Sequence, residues 1–425
     1  MRAAAVLMVV VPVLASSGCS GDAGHAIATP GPSRSPLLAL IEQRNGGARL
    51  GWLDPATLRP LDRGVVQLAG GVWSPVLAPA GERVALGGRG NKGIRIVDVA
   101  DMRVLGRVAR ASADRSLVPL AWPLEHRLLA LEFKWMQGPA VPHVQDLLVI
   151  DPVASRVVAR RPLDGWAIQT AQVGRQVVLL LQPAVGIGPA RLAVVSRDGA
   201  VRTAVLQSVL AGSDEESFEG GPPRNLLRMP ALAVDADART AFVVPGGSHV
   251  VEVRLTTLEV TDHELSTPVS LRSRLRDWLE PAAEAKAPPI GPVREARWLG
   301  DGLLASTGWN GLKPAGVALI DVKRDTVRTI DGAAARFSFE DEILLAHGDY
   351  SSSDGVRAYS LEGRRLWEAL EGEAIGGVVA LGGRVYVEVA SGRSPTVAVF
   401  DLRSGAELKR VAARFPEFVS RRHGT

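Results

Sequence analysis

Leu147-Leu148-Val149-Ile150-Asp151 is a run of four apolar residues closed by an aspartate, and a short second strand follows it after a polar turn. The arrangement recurs along the chain. It appears at Leu50-Gly51-Trp52-Leu53-Asp54, Ile94-Arg95-Ile96-Val97-Asp98, Leu192-Ala193-Val194-Val195-Ser196 and Val250-Val251-Glu252-Val253-Arg254. It returns at Ala318-Leu319-Ile320-Asp321, Val356-Arg357-Ala358-Tyr359-Ser360 and Val397-Ala398-Val399-Phe400-Asp401. An Asp or Ser at the strand end can bond its own backbone two residues on and so start a turn. The strand-end residues recur at steps of 39 to 67 residues, which marks an internal repeat.

A second hairpin precedes most copies. Val72–Pro79 turns through Ala80-Gly81-Glu82 into Arg83–Gly87, Ala231–Asp235 turns into Thr240–Val244, and Gly377–Leu381 turns into Arg384–Val389. Two hairpins make four antiparallel strands in about 40–45 residues, the dimensions of a propeller blade. The sequence therefore predicts an all-β fold, a single β-propeller of four-stranded antiparallel blades over 37–420. Eight blades is the count, and seven is the alternative, because the step from Arg254 to Asp321 contains a long insertion and the first copy is partial. The first unit lacks an innermost strand while Phe415–Ser420 is left over. A C-terminal strand completing the first blade would remove the open edges.

The repeat resembles the bacterial propeller families described as WD40-like, YVTN and quinoprotein-like. The match nearest a quinoprotein-type blade is Ala358-Tyr359-Ser360-Leu361-Glu362-Gly363-Arg364-Arg365-Leu366-Trp367, with Gly and Trp at the expected offsets. A quinoprotein would also need a cofactor-stacking Trp and a calcium site, and neither is assembled in the sequence.

Composition narrows the function. Of 425 residues 46% are hydrophobic and 22% charged, which are globular values. Net charge is +4 from 49 basic and 45 acidic residues, too balanced for a nucleic-acid partner. One cysteine excludes internal disulfides and cysteine-based zinc sites. Gly88-Arg89-Gly90-Asn91-Lys92-Gly93 spells a dinucleotide fingerprint, yet a strand follows it where a helix is required. Asp235 and Asp237 sit at a tight turn with no glutamate to complete a calcium loop. No Walker loop, HExxH or GxSxG occurs, the seven histidines show no metal spacing, and no metal or cofactor is expected.

The N-terminus reads as an address. Arg2 is the only charge before Asp22, and the apolar run Ala3–Ala15 is a signal-peptide core too short to cross a hydrocarbon layer of about 30 Å. It ends in Leu14-Ala15-Ser16-Ser17-Gly18-Cys19-Ser20, which resembles the lipobox of bacterial lipoproteins. The resemblance implies cleavage after residue 18 and lipidation of Cys19, with 19–36 as a flexible tether and 421–425 as a tail. The expected location is the cell membrane, lipid-anchored on the extracytoplasmic side.

In a four-stranded meander, call the strands a to d from the axis outward. The b–c and d–a connections share one face of the disc. The lengthened connections (134–146, 183–189, 207–230, 266–292 and 308–316) all fall there, and long loops on a rigid scaffold carry binding. Candidate residues are Lys134, Trp135 and His143; the acidic run Asp214, Glu215, Glu216 near Arg224; Trp309 and Asn310; and His347, Asp349 and Tyr350. Aromatics flanked by amides and acids suit protein or glycan contact. The segment 268–291 carries Leu271, Leu275, Trp278 and Leu279 at helical spacing, an amphipathic helix on the rim. The reading is a non-catalytic binding or scaffold module. The alternative is a propeller lyase, lactonase or glycan-acting hydrolase with carboxylates and histidines near the axis, for which Glu132, His143, His347 and Asp349 are the first residues to mutate.

Overall fold

The computed structural model describes residues 35–42, 47–68, 74–87, 93–134, 145–216, 224–246, 249–266, 293–310, 313–349, 354–390 and 395–419. Cys19 and the signal segment, the helical insertion 268–291, and the tail 421–425 lie outside the described residues. All regular structure among the described residues is β, and no helix there is long and apolar enough to cross a membrane.

Eight antiparallel sheets follow one another along the chain. The second blade is Ser74–Leu77, Arg83–Gly87, Gly93–Asp98 and Arg103–Ala109. The third is Arg115–Leu124, Arg127–Lys134, Gln145–Asp151 and Arg156–Pro162. The fifth is Ala231–Asp235, Thr240–Val244, His249–Arg254 and Val260–Glu264. The seventh is Arg336–Glu340, Ile343–His347, Val356–Ser360 and Arg365–Ala369. The eighth is Ile375–Leu381, Arg384–Val389, Thr396–Asp401 and Glu407–Ala412. Each of the eight repeats quoted above falls on the third strand of its blade, so the register residue is the one that opens the c–d turn.

The first blade is built from both ends of the chain. Leu37–Glu42, Ala48–Leu53 and Pro60–Leu68 form its outer three strands, and Glu417–Phe418 pairs with Leu37–Glu42 as the innermost. Val419 N–H donates to the Leu38 carbonyl at 2.8 Å and extends the closure.

Eight apolar clusters lie between successive blades, one for each junction. Leu129 and Leu131 pack toward the fourth blade, while Leu128 and Ala130, one residue out of phase, pack toward the second. Strands b and c are thus buried on both faces. That is why Val177-Val178-Leu179-Leu180-Leu181 reads as a continuous apolar run instead of an alternation. Aromatic pairs reinforce four junctions among the described residues: Phe133 with Trp166, Phe242 with Trp298, Tyr386 with Phe418, and Trp367 with Phe400, at centroid separations of 5.0, 5.0, 4.8 and 6.4 Å.

The turns follow the aspartate rule. Asp54, Asp98, Asp151, Asp321 and Asp401 each accept backbone N–H bonds from residues two and three ahead. Asp235 does the same for Asp237 and Ala238, which gives it a turn role. Gly93 opens a strand, as the fingerprint-like loop requires if it is a hairpin.

Two departures concern the fourth and sixth blades. Residues 183–189 and 207–230 read as loops in the sequence. Instead Ile187–Val195 and the 16-residue strand Val201–Glu216 pair along their length, and Arg224–Arg228 adds a fifth strand to the end of the latter. Alternation hid this, because three extra residues, 207–209, bulge between the Ala190–Leu206 and Pro189–Leu210 pairs and reset the period. In the sixth blade (Val293–Gly300, Leu303–Asn310, Val317–Asp321, Thr326–Asp331), Lys313–Pro314 folds back on the end of the second strand.

Candidate functional site: the long-loop face and the inner wall

The b–c and d–a connections place most of the sequence candidates at one end of their blades. Lys134 closes strand b of the third blade and pairs with Asp114 at 3.1 Å, both side chains about half exposed. The Ser112 hydroxyl, and then Lys134, holds the Asp114 carboxyl down to about 2. Asp214 is exposed on the long strand of the fourth blade. In the ribbon beyond it Glu215 stands opposite Asn225 and Glu216 opposite Arg224 in the backbone register. Trp135, His143 and Tyr350 lie outside the described residues.

Glu132, one of the groups named for the enzyme alternative, is committed to a network. Its carboxylate is fully buried and accepts from the Ala111 backbone N–H at 2.7 Å and from Arg115 at 3.3 Å. Arg160 binds the same carboxylate and also Asp146, at 2.7 Å, and Arg115 reaches Asp146 at 2.8 Å. The four groups come one from each strand of the third blade, a transverse row of two cations and two anions. Sequence reading missed Arg115, Asp146 and Arg160. The available signal was a charge in each strand of one blade, at the end nearest the long loop.

His347 is also withdrawn from solvent. It is 3% exposed at the end of strand b of the seventh blade, and its Nδ1 lies 2.8 Å from the Gly348 carbonyl, which makes that nitrogen the protonated one. Burial pushes its pKa down to about 4, so the ring is neutral at physiological pH. Asp349 beside it is half-buried. Trp309 and Asn310 gather around Arg294, which is buried and donates to the Trp309 carbonyl at 2.7 Å and to Asn310 Oδ1 at 2.5 Å. The structure thus joins Trp309 with Asn310, and His347 with Asp349, but does not converge these pairs with Glu132. Among the described residues no three His, Cys, Asp or Glu side chains are grouped to hold a metal.

Charge on the inner wall is concentrated in two neighbouring blades. The first strands of the second, fourth and eighth blades hold no ionisable residue, whereas those of the sixth and seventh supply Arg294, Glu295, Arg297, Arg336 and Glu340. Desolvation raises the Glu295 carboxyl, with Arg336 opposing the effect. Burial lowers Arg297, whose guanidinium donates to the Phe339 carbonyl at 3.0 Å and covers the Phe339 ring at 5.2 Å. Glu340 is raised by burial while it accepts from the Gly382 N–H at 2.7 Å. Arginine and glutamate inside otherwise apolar first strands were the overlooked signal.

The eight sheets and their closure define an eight-bladed β-propeller. No protein-family model matches the sequence, and no curated protein matches it. Among solved structures, apo AztD from Citrobacter koseri is similar over 90% of this chain and 96% of its own, with a TM-score of 0.51 at 10% identity. BamB from Moraxella catarrhalis aligns over 89% and 90% with a TM-score of 0.37 at 12% identity. Sqt1 from Saccharomyces cerevisiae aligns over 80% and 84%, with a TM-score of 0.46 at 11% identity. The likeness to AztD is one of fold.

Proposed function

We propose that this chain is a non-catalytic binding or scaffold propeller, held outside a bacterial membrane by acyl chains on Cys19 and engaging an extracytoplasmic protein or glycan. The observation that carries the binding half is the ribbon of the fourth blade. Strand d continues past its partner strand and, paired with Arg224–Arg228, carries the acidic run Asp214-Glu215-Glu216 along a two-stranded extension of the sheet. Glu132 and His347 support the non-catalytic reading, since one is saturated by two arginines and the other is buried and bonded to a carbonyl. The lipobox-like segment supports the anchor, because several acyl chains on one residue give stable membrane attachment.

The test is affinity capture from solubilised membranes after in-cell crosslinking, comparing the native chain with the Asp214→Lys/Glu215→Lys/Glu216→Lys variant. A partner captured by the native chain and lost from the folded variant supports the reading. Equal capture by both moves the contact off the ribbon. Cys19→Ser should release the protein from the membrane fraction, and unchanged sedimentation with membranes would end the lipid-anchor half.

A further inference from the structure

At most junctions the outer strand of one blade closes over the c–d turn of the next. Trp367 Nε1 donates to the Leu402 carbonyl at 2.9 Å and its ring covers Gly405, where a Cβ would lie 2.5 Å away. Arg202 donates to the Leu255 and Thr256 carbonyls, each at 2.9 Å. His263 Nδ1 meets Asp325 at 2.9 Å. At the seam between the eighth and first blades this contact is open. The strand Glu407–Ala412 and the turn Thr57-Leu58-Arg59-Pro60 instead face each other across a groove of about 510 Å³, within the size range of small-molecule sites.

The groove is asymmetric in charge. Five of its lining residues are cationic (Arg49, Arg59, Lys409, Arg410 and Arg414) and none is acidic. Arg410 is neutralised by Glu373 and Glu407, each at 3.1 Å. The other four make no side-chain hydrogen bond or ion pair with a described residue. Their positive charge is therefore uncompensated over one concavity, part of whose floor is Ile41, Leu58 and Val411. Guanidinium groups match phosphate oxygens in geometry and charge, and several cations around one cleft favour a multiply charged anion over a single carboxylate.

We infer that the seam groove between the last and first blades binds a phosphate-bearing ligand, its phosphate held by Arg49, Arg59, Lys409 and Arg414. The shared chemistry fits a soluble phosphate ester and an anionic phospholipid headgroup alike, and the apolar floor gives the second a place for the start of its acyl chains. The site is separate from the acidic ribbon and stands or falls without it.

Isothermal titration of the full chain carrying Cys19→Ser, at low ionic strength, separates the outcomes with three probes: inorganic pyrophosphate, glycerol 3-phosphate, and monomeric dihexanoyl phosphatidylglycerol. The expected result is saturable binding to at least one probe. Arg49→Ala/Arg414→Ala, or Arg59→Ala/Lys409→Ala should the first pair fail to fold, should weaken it tenfold or more. The remote pair Arg156→Ala/Arg239→Ala should leave it unchanged. Phosphatidylglycerol bound tenfold more tightly than glycerol 3-phosphate assigns the groove to a lipid headgroup, and equal affinities assign it to a soluble ester. Absence of saturable binding to all three probes, or an equal loss in the remote pair, overturns the proposal.

Discussion

Glu132 and His347 were both legible as unusual residues, and both owe their character to burial. A fully buried carboxylate is tolerated because two guanidinium groups and a backbone N–H satisfy it. Glu132→Gln keeps the shape and removes the charge, leaving Arg115 and Arg160 with Asp146 alone; we expect a loss of about 2–3 kcal/mol in urea unfolding, below the usual cost of breaking a buried pair because both arginines keep some solvent contact. His347 sets a pH dependence. A histidine titrates near 6.5 when unfolded and at about 4 here, so between those values only the unfolded chain takes up the proton. Stability therefore falls as pH drops from 6.5 to 4, at about 1.4 kcal/mol for each pH unit between the two values, or about 3 kcal/mol in all. Glu417 acts with the opposite sign. Burial, and then Glu42, raises its carboxyl to about 7 from 4.5, so the folded chain holds a proton the unfolded one has shed, and stability falls as pH rises through that window. Glu417 is nonetheless exposed at the surface, so solvent screens the shift and makes this the smaller effect. Urea midpoints at pH 7 and pH 4.5 check both: relative to the native chain, His347→Gln should lose less stability on acidification and Glu417→Gln should lose more.

Legibility at the level of elements followed burial. The third strands are legible in the sequence at all eight repeats because each packs on two neighbouring blades and so forms an apolar run that a turn residue must end. The ribbon of the fourth blade reads as loop because its bulge resets the alternation, and the charged first strand of the sixth blade is not legible because Arg294, Glu295 and Arg297 look solvated in a sequence that does not give the strand's place at the axis. A further regularity surfaces only in three dimensions. The carbonyl of the first turn residue after strand c is taken by a side chain of the preceding blade at four junctions: Tyr386 Oη to Pro55, Trp52 Nε1 to Val99, Arg202 to Leu255, and Trp367 Nε1 to Leu402. The donors differ in type and in strand, so no sequence pattern marks them. Trp367→Phe keeps an aromatic ring against Phe400 and leaves the Leu402 carbonyl without its donor, and we expect a cost of about 1–2 kcal/mol by chemical denaturation. Trp52→Phe should cost less, since its bond is longer at 3.3 Å against 2.9 Å.

At the scale of the whole molecule, the ring is closed by very little backbone. Among the described residues only Glu417 and Phe418 pair with the first blade, joined by the Val419 N–H bond. Side chains do most of the sealing: Phe418 packs on Tyr386 at 4.8 Å and Phe415 at 6.2 Å, and Tyr386 reaches across to the Pro55 carbonyl. Without that segment the strand Leu37–Glu42 would present an unpaired edge, and the apolar layer between the eighth and first blades would open to water. A toroid differs from an open stack here, because every blade has two neighbours and losing one junction leaves two exposed faces. Truncation after Ala413 should therefore abolish a single cooperative transition and produce aggregation, read by differential scanning calorimetry and size-exclusion chromatography. Phe418→Ala keeps the backbone pairing and isolates the side-chain share, with an expected loss of about 2–3 kcal/mol for a half-buried aromatic. Leu408→Ala, 49% exposed on the neighbouring outer strand, should change stability by less than about 0.5 kcal/mol. A truncated chain that still melts in one reversible step at the native temperature would show that the inter-blade layers hold the ring shut without the C-terminal strand.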